Sequence, residues 1–168
     1  EVIVSSTKLS TDPDLIVKLT TYIGYLEAKE RAGQERAMGA GGFGAGKFTP
    51  QLYNKFVSLI TSQEVYLSQF HLFASNVEAQ YEKDTLQGSA VNEVERMRKI
   101  AIDSTNTNTL EDIKGSYWFD QITQKINLMK KVENFIGDDL LLLMAKKSAA
   151  SFQSLIMWLV ISVLSILV

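Results

Sequence analysis

Apolar residues recur every three or four positions along most of this chain, which is the spacing of one face of an α-helix. The clearest example is a seam formed by Leu15, Leu19, Tyr22 and Leu26. Similar stripes predict four helices, at about residues 13–46, 50–84 and 90–103 and from about residue 116 onward. The pattern therefore predicts an all-α fold, with these helices arranged as an antiparallel up-down four-helix bundle.

Polar residues and prolines mark where the first two helices begin. Thr11 and Asp12 precede Pro13, and Thr49 precedes Pro50. In both segments a side chain that can cap a helix comes directly before proline, which is well suited to the first turn of a helix. The helix starts are therefore better defined by the sequence than the helix ends.

The C-terminal 18 residues, 151–168, contain no charged side chain. A helix that crosses a bilayer needs about 20 mostly apolar residues, so this run predicts the start of a transmembrane helix that continues the fourth helix. Residues 1–150 are then predicted to form an extracytoplasmic domain at the cell membrane. The chain begins with Glu1 rather than Met and stops within the apolar run, so we expect it to be a segment of a longer protein.

Composition removes several classes of function. Seventeen Lys and Arg residues against 19 Asp and Glu residues give a net charge of −2 without a basic tract, which argues against nucleic acid as a partner. The absence of cysteine excludes thiolate catalysis and cysteine-ligated zinc. His71 is the single histidine, so most histidine-based metal sites and a Ser-His-Asp triad are disfavoured. We therefore expect neither an enzyme nor a metal or cofactor site.

Two residues of the first helix place positive charge where its apolar seam should continue, and a glycine lies between them. Extending the seam by its own spacing gives Lys29, Gly33 and Arg36. Arg31 lies on a different face, because five residues separate it from Arg36, and it has acidic neighbours at Glu27 and Glu35. An inward cation is costly unless an anion meets it, so this seam predicts either a buried ion pair or a bound anion.

A small, planar, monovalent oxyanion suits such a pocket, because the guanidinium fork of arginine binds oxyanions through paired N–H···O contacts. Gly33 leaves space against the backbone, while Trp118, Tyr22 and Tyr66 are candidates to line the pocket and donate hydrogen bonds. The competing interpretation is an ordinary ion pair between Arg36 and either Asp120 or Glu35. Both interpretations are compatible with the spacing.

A glycine-rich run from Gly41 to Lys47 matches part of a phosphate-binding loop. Phe48 stands where that motif needs Ser or Thr to hold magnesium, and the run ends a predicted helix instead of following a strand. We therefore interpret these glycines as positions of close helix packing.

The run Lys-Glu-Arg-Ala-Gly-Gln-Glu-Arg-Ala at residues 29–37, followed by Phe43, Gly46 and Phe48, resembles the signature of the nitrate- and nitrite-sensing (NIT) domain family. Further similarity to the last long helix of that family comes from Trp118, Phe119, Thr123, Ile126 and residues 131–133. The resemblance implies a helical-bundle sensor that binds nitrate or nitrite through the motif arginines, Arg31 and Arg36.

Taken together, these features predict the sensor domain of a membrane receptor that binds nitrate or nitrite and signals through its C-terminal helix. The predicted ligand-binding residues are Arg31, Arg36, Lys29, Gly33 and Trp118, and a homodimer is expected. One alternative is a structural or dimerisation bundle without a small ligand. Another is a sensor of a different small anion, such as a carboxylate.

Overall fold

A computed structural model describes residues 12–166 of the chain and confirms that they are all-α. Five helices follow one another without a strand in this part of the chain. They are α1 (Pro13–Gly44), α2 (Pro50–Phe73), α3 (Asn76–Thr85), α4 (Ser89–Thr107) and α5 (Gly115–Ile166). The predicted count of four is therefore wrong.

The extra helix arises because the segment predicted as one helix over residues 50–84 breaks at Ala74 and Ser75. Ser75 caps α3 by accepting a hydrogen bond from the backbone N–H of Glu78, and the Glu78 carboxylate accepts one from the backbone N–H of Ser75 at 2.8 Å. This reciprocal capping box satisfies N–H groups that a new helix start would otherwise leave unpaired. The sequence carried this signal as Ser-x-x-Glu.

The predicted starts of the first two helices are confirmed. Asp12 Oδ1 accepts from the backbone N–H groups of Asp14 and Leu15 at 3.1 and 3.2 Å, and Pro13 opens α1. Thr49 Oγ1 accepts from the backbone N–H of Leu52 at 3.3 Å, with Pro50 opening α2.

Helix α1 packs against both α2 and α5, and it runs antiparallel to α5. The antiparallel arrangement follows from contacts along its length: Lys147 pairs with Asp14, while Arg36 contacts Thr123 much farther from the C-terminus. Helices α3 and α4 contact α5 at successive levels. The rings of Tyr81 and Phe135 stack 4.1 Å apart at the α3 level.

Two apolar clusters form the core, one at the C-terminal end of α1 and one around its middle. The loop-end cluster lies near the α1–α2 and α4–α5 loops and consists of Phe43, Phe56, Ile60, Val94, Met97, Ala101, Leu110, Ile113, Trp118 and Ile122. The mid-helix cluster consists of Tyr25, Ala28, Ala32, Phe70, Met129, Val132 and Ile136. Partly buried Ile126 packs against both.

Helix α5 continues through the uncharged C-terminal run to Ile166. Within the described residues, however, no helix combines the length and apolar character that crossing a membrane requires. The predicted transmembrane span is therefore not confirmed. Its last two residues, and the first 11 residues of the predicted extracytoplasmic domain, lie outside the described part of the chain.

Replacing Gly39 by alanine is expected to destabilise the protein, because the new Cβ would lie 2.3 Å from Nε1 of Trp118. That ring is fully buried and donates a hydrogen bond to the backbone of α1, so it has little freedom to shift. Overpacking of this kind costs about 1–3 kcal/mol. Urea unfolding of Gly39→Ala measures the loss.

The matched control is Gly33→Ala in the same helix, where an added Cβ meets nothing within 4 Å. Alanine has the higher helix propensity, so this variant should gain up to about 1 kcal/mol. Equal effects at both glycines would contradict the close packing of Trp118 on Gly39.

Candidate functional site

The seam residues Lys29, Gly33 and Arg36 lie on the side of α1 that faces α5. Lys29 forms an ion pair with Glu133 of α5, and Arg36 donates from Nη1 to Oγ1 of Thr123 at 3.1 Å. All three seam residues are half-buried. The spacing of the seam thus predicted correctly which positions share one face of α1.

Arg36 is held against α5 without a carboxylate. Its guanidinium carbon lies 4.7 Å from the centre of the Phe119 ring, in a cation–π contact. Among the residues that the structure describes, Arg36 makes no ion pair, so the predicted alternatives with Asp120 and Glu35 are wrong. Thr123 and Phe119 orient the guanidinium while leaving its positive charge without a fixed anion.

Open space adjoins Arg36 at Gly33, one helical turn earlier. A Cβ built on Gly33 would have no neighbouring atom within 4 Å. The α1 backbone is therefore open at this position, with room for at least one added carbon atom. The prediction that Gly33 leaves room on this face is consistent with the structure.

Lys29 has an acidic partner, and of the two predicted outcomes for the seam cations it therefore follows the ion pair. The Glu133 carboxylate forms an ion pair with Lys29 and also accepts a hydrogen bond from Nζ of Lys130 at 2.6 Å. Burial raises the pKa of Glu133, but the two lysines outweigh that effect and hold the pKa below its ordinary value. Lys29 is therefore already paired with a carboxylate, whereas Arg36 has no carboxylate partner within residues 12–166.

Trp118 also has a different role from the one expected. Its ring is fully buried, and Nε1 donates to the backbone oxygen of Arg36 at 3.0 Å. The prediction that this N–H is available to a bound anion is therefore wrong. Trp118 instead fixes the backbone of α1 at the residue that carries the unpaired guanidinium.

Arg31 lies on another face, as predicted. It pairs with Glu27 at 2.8 Å, and its guanidinium carbon lies 5.4 Å from the centre of the Tyr66 ring on α2. The structure thus separates the two motif arginines, because Arg31 faces α2 and Arg36 faces α5. The predicted neighbour of Arg31 on its other side, Glu35, turns into the interior.

The interior holds a charged cluster that the sequence analysis did not identify. Glu35 is fully buried, and both of its oxygens accept from Arg98 of α4, with Nε donating at 2.7 Å. Gln63 of α2 completes the contact by donating to Glu35 at 2.7 Å and accepting from Arg98 at 2.9 Å. These three side chains join α1, α2 and α4.

The same cluster extends to α5 through Glu95 and Lys125. Nζ of Lys125 donates to Oε1 of Glu95 at 2.8 Å, and Nη1 of Arg98 donates to the same oxygen at 2.8 Å. Burial lowers the pKa of Lys125, and the nearby positive charge of Arg98 lowers it further. We refer to Glu35, Gln63, Glu95, Arg98 and Lys125 as the polar layer.

A sequence signal for the polar layer existed at Arg98, which follows Met97 and lies four residues after Val94, all three being buried. A cation on an apolar helix face indicates a buried partner. Its partner Glu35 is far away in sequence and belongs to a run of charged residues, so only packing could match the two.

Comparison with known proteins gives a consistent family relationship. The family described as nitrate and nitrite sensing (NIT) matches residues 1–141. The nitrate regulatory protein of Klebsiella oxytoca is 29% identical over 130 residues, which cover 77% of this chain and 32% of that protein. The solved structure of the NasR transcription antiterminator superposes with a TM-score of 0.66 at 29% identity, covering 77% of this chain and 35% of that one. This chain thus spans about a third of the length of these relatives.

Replacing Arg98 by methionine is expected to destabilise the protein by about 3–5 kcal/mol, because the buried Glu35 carboxylate would lose the cation that neutralises it. Urea unfolding measures the loss. The matched control is Arg96→Met on the same helix, since Arg96 pairs with Glu93 and Glu111 at the exposed surface. Surface pairs contribute about 0–1 kcal/mol, so a similar loss in both variants would contradict the importance of the buried pair.

Proposed function

This chain belongs to the nitrate and nitrite sensing (NIT) family, and on that premise we propose that it binds nitrate or nitrite between α1 and α5. In this proposal the anion lies against Arg36, beside the open space at Gly33. Lys29 and Lys130 share the single carboxylate of Glu133, so together they leave positive charge near the site, while Trp118 holds the α1 backbone in place. Arg31 pairs with Glu27 and faces α2, so in this proposal it acts through its positive charge and not by direct contact with the anion.

The observation that carries this proposal is the guanidinium of Arg36, which is half-buried and has no carboxylate partner within the described residues. A planar oxyanion accepts two parallel hydrogen bonds from such a fork. Thr123 and Phe119 hold the guanidinium in place, so less side-chain freedom is lost when the anion binds. The competing interpretation paired Arg36 with Asp120 or Glu35, and within the described residues Arg36 forms neither ion pair.

Binding at this position gives the anion a way to alter helix packing. Arg36 belongs to α1, whereas Thr123 and Phe119 belong to α5, so an anion on Arg36 acts at the contact between the two helices. Helix α5 continues unbroken from Gly115 to Ile166. The anion shifts the packing of α1 on α5 only if it binds one arrangement more tightly than another.

We further propose that the chain is the sensor region of a dimeric membrane receptor. The support for this context is the 18-residue C-terminal run without charge. The relatives are a nitrate regulatory protein and a transcription antiterminator, so family membership by itself does not fix the output.

The membrane proposal predicts that the 168-residue chain, expressed in bacterial cells, stays with the membrane fraction after alkaline carbonate washing. The paired variant Leu159→Arg with Leu164→Arg should be released, because arginine stays charged at alkaline pH and a charge at the centre of an inserted helix costs about 2.5–3.5 kcal/mol. Release of both proteins to the same extent would exclude a membrane-inserted C-terminal helix.

The ligand proposal predicts that nitrate or nitrite raises the thermal unfolding midpoint of the chain, whereas chloride, sulfate and acetate at matched ionic strength do not. A ligand at 100 times its Kd adds about 2.7 kcal/mol of stability. Arg36→Ala should abolish this shift, because it removes the unpaired guanidinium. Differential scanning fluorimetry provides the measurement.

Arg96→Ala is the matched control and should retain the nitrate-induced rise in unfolding midpoint, since Arg96 is exposed and already forms ion pairs with two carboxylates. A shift in acetate of the same size as in nitrate would favour a carboxylate sensor. If all anions act alike, or if Arg36→Ala keeps the nitrate response, the proposed site is wrong.

A further inference from the structure

Glu95 links two buried cations although its own side chain is half-exposed. Its Oε1 atom accepts from Nη1 of Arg98 and from Nζ of Lys125, both at 2.8 Å. The side chain of Glu95 is 54% exposed, whereas those of Arg98 and Lys125 are 9% and 8% exposed. The carboxylate thus reaches from the surface into a buried cationic position.

The charges of the polar layer show what Glu95 does there. Glu35 already neutralises Arg98 through two hydrogen bonds, so the remaining positive charge belongs to Lys125. Within the described residues, Glu95 is the carboxylate that forms an ion pair with Lys125. Without Glu95, the polar layer carries one net positive charge, which a single monovalent anion would neutralise.

We propose that Arg98 and Lys125 form a second anion-binding site, in which Glu95 is a tethered occupant that a small oxyanion of the nitrate or nitrite class replaces. The identity of the ligand rests on the proposed function. The site itself rests on the geometry of Glu95, Arg98 and Lys125, and it is built from different residues than the site at Arg36. A carboxylate group, nitrate and nitrite share a planar, delocalised negative charge, so the same two donors suit each of them.

The three side chains differ in how easily they can move. Arg98 is fixed by Glu35 and Gln63, and Lys125 is buried, so neither cation can follow the carboxylate outward. Glu95 can turn into solvent, where water hydrates its charge. A free anion would then face two positively charged donors in a largely dry position, where electrostatic attraction is stronger than in water.

Competition with a tethered carboxylate sets the expected strength of binding. A group on a short tether acts at an effective concentration in the millimolar range or above, so it weakens the apparent affinity of a free competitor. The ion pair between Glu95 of α4 and Lys125 of α5 would also be replaced by contacts through an anion that can dissociate. The stability of the α4–α5 contact would thereby depend on the concentration of the anion.

The test is Glu95→Gln, which keeps the size of the side chain but removes the charge that neutralises Lys125. We expect this variant to be less stable than the parent chain without added anion. We also expect it to bind nitrate or nitrite at least tenfold more tightly by isothermal titration calorimetry, with a larger rise in unfolding midpoint. Glu93→Gln is the matched control, because Glu93 lies on the same helix but pairs with the exposed Arg96. It should respond as the parent chain does.

Glu95→Asp gives a second measurement if the glutamine variant does not fold. Its shorter carboxylate reaches the two cations less well, so the gain in nitrate affinity should have the same sign and be smaller. Unchanged nitrate affinity in the variant that folds would overturn the proposal and leave Glu95 as a permanent counter-ion. An equal gain for chloride and sulfate would overturn the assignment to planar oxyanions.

Combining Glu95→Gln with Arg36→Ala separates this proposal from the one at Arg36. If the gained affinity survives in the double variant, the site at Arg98 and Lys125 stands independently. If the parent chain responds to nitrate through Arg36 but Glu95→Gln adds nothing, the second site fails and the proposed function stands. If only Glu95→Gln variants respond, the site at Arg36 fails and the second site stands.

Discussion

The buried ion pair between Glu35 and Arg98 is the interaction on which the arrangement of this protein depends. A fully buried carboxylate is tolerated only where a cation and further hydrogen bonds meet it. Arg98 and Gln63 meet both requirements, and they come from two different helices. The pair therefore constrains how α1, α2 and α4 can be aligned, since sliding any one of them by a helical turn would leave the charge unpaired.

That constraint also decides the environment of the neighbouring residue, Arg36. Because Glu35 is committed to the interior, it is unavailable to the arginine that follows it in sequence. Successive residues of a helix point about 100° apart, so Arg36 faces α5, where Thr123 and Phe119 receive it. A buried ion pair and a half-buried guanidinium that has no carboxylate partner in the described residues are thus two consequences of one helix orientation.

The distribution of acids separates the cations that have a carboxylate partner from Arg36. Lys29 shares Glu133 with Lys130, and Lys125 shares Glu95 with Arg98. Arg36 is different, because no carboxylate in the described residues neutralises it. In the proposed function, nitrate or nitrite neutralises that charge, and a site at the contact between α1 and α5 would let binding alter the packing of these two helices.

The sequence by itself determined the helical class, the capped starts at Pro13 and Pro50, the separate faces of Arg31 and Arg36, and the resemblance to the family. These features depend on spacing within one helix or on contacts between residues a few positions apart. The additional break at Ser75 carried a local capping signal of the same kind. Only the tertiary structure decided that Glu35 pairs with Arg98, that Glu133 takes Lys29, and that Trp118 donates to the α1 backbone. Each of these contacts joins residues more than 60 positions apart, and Glu35 and Arg98 are separated by 63. The partner of each charged residue depends on how the helices are rotated and shifted against one another. Helical periodicity within one segment does not determine that arrangement.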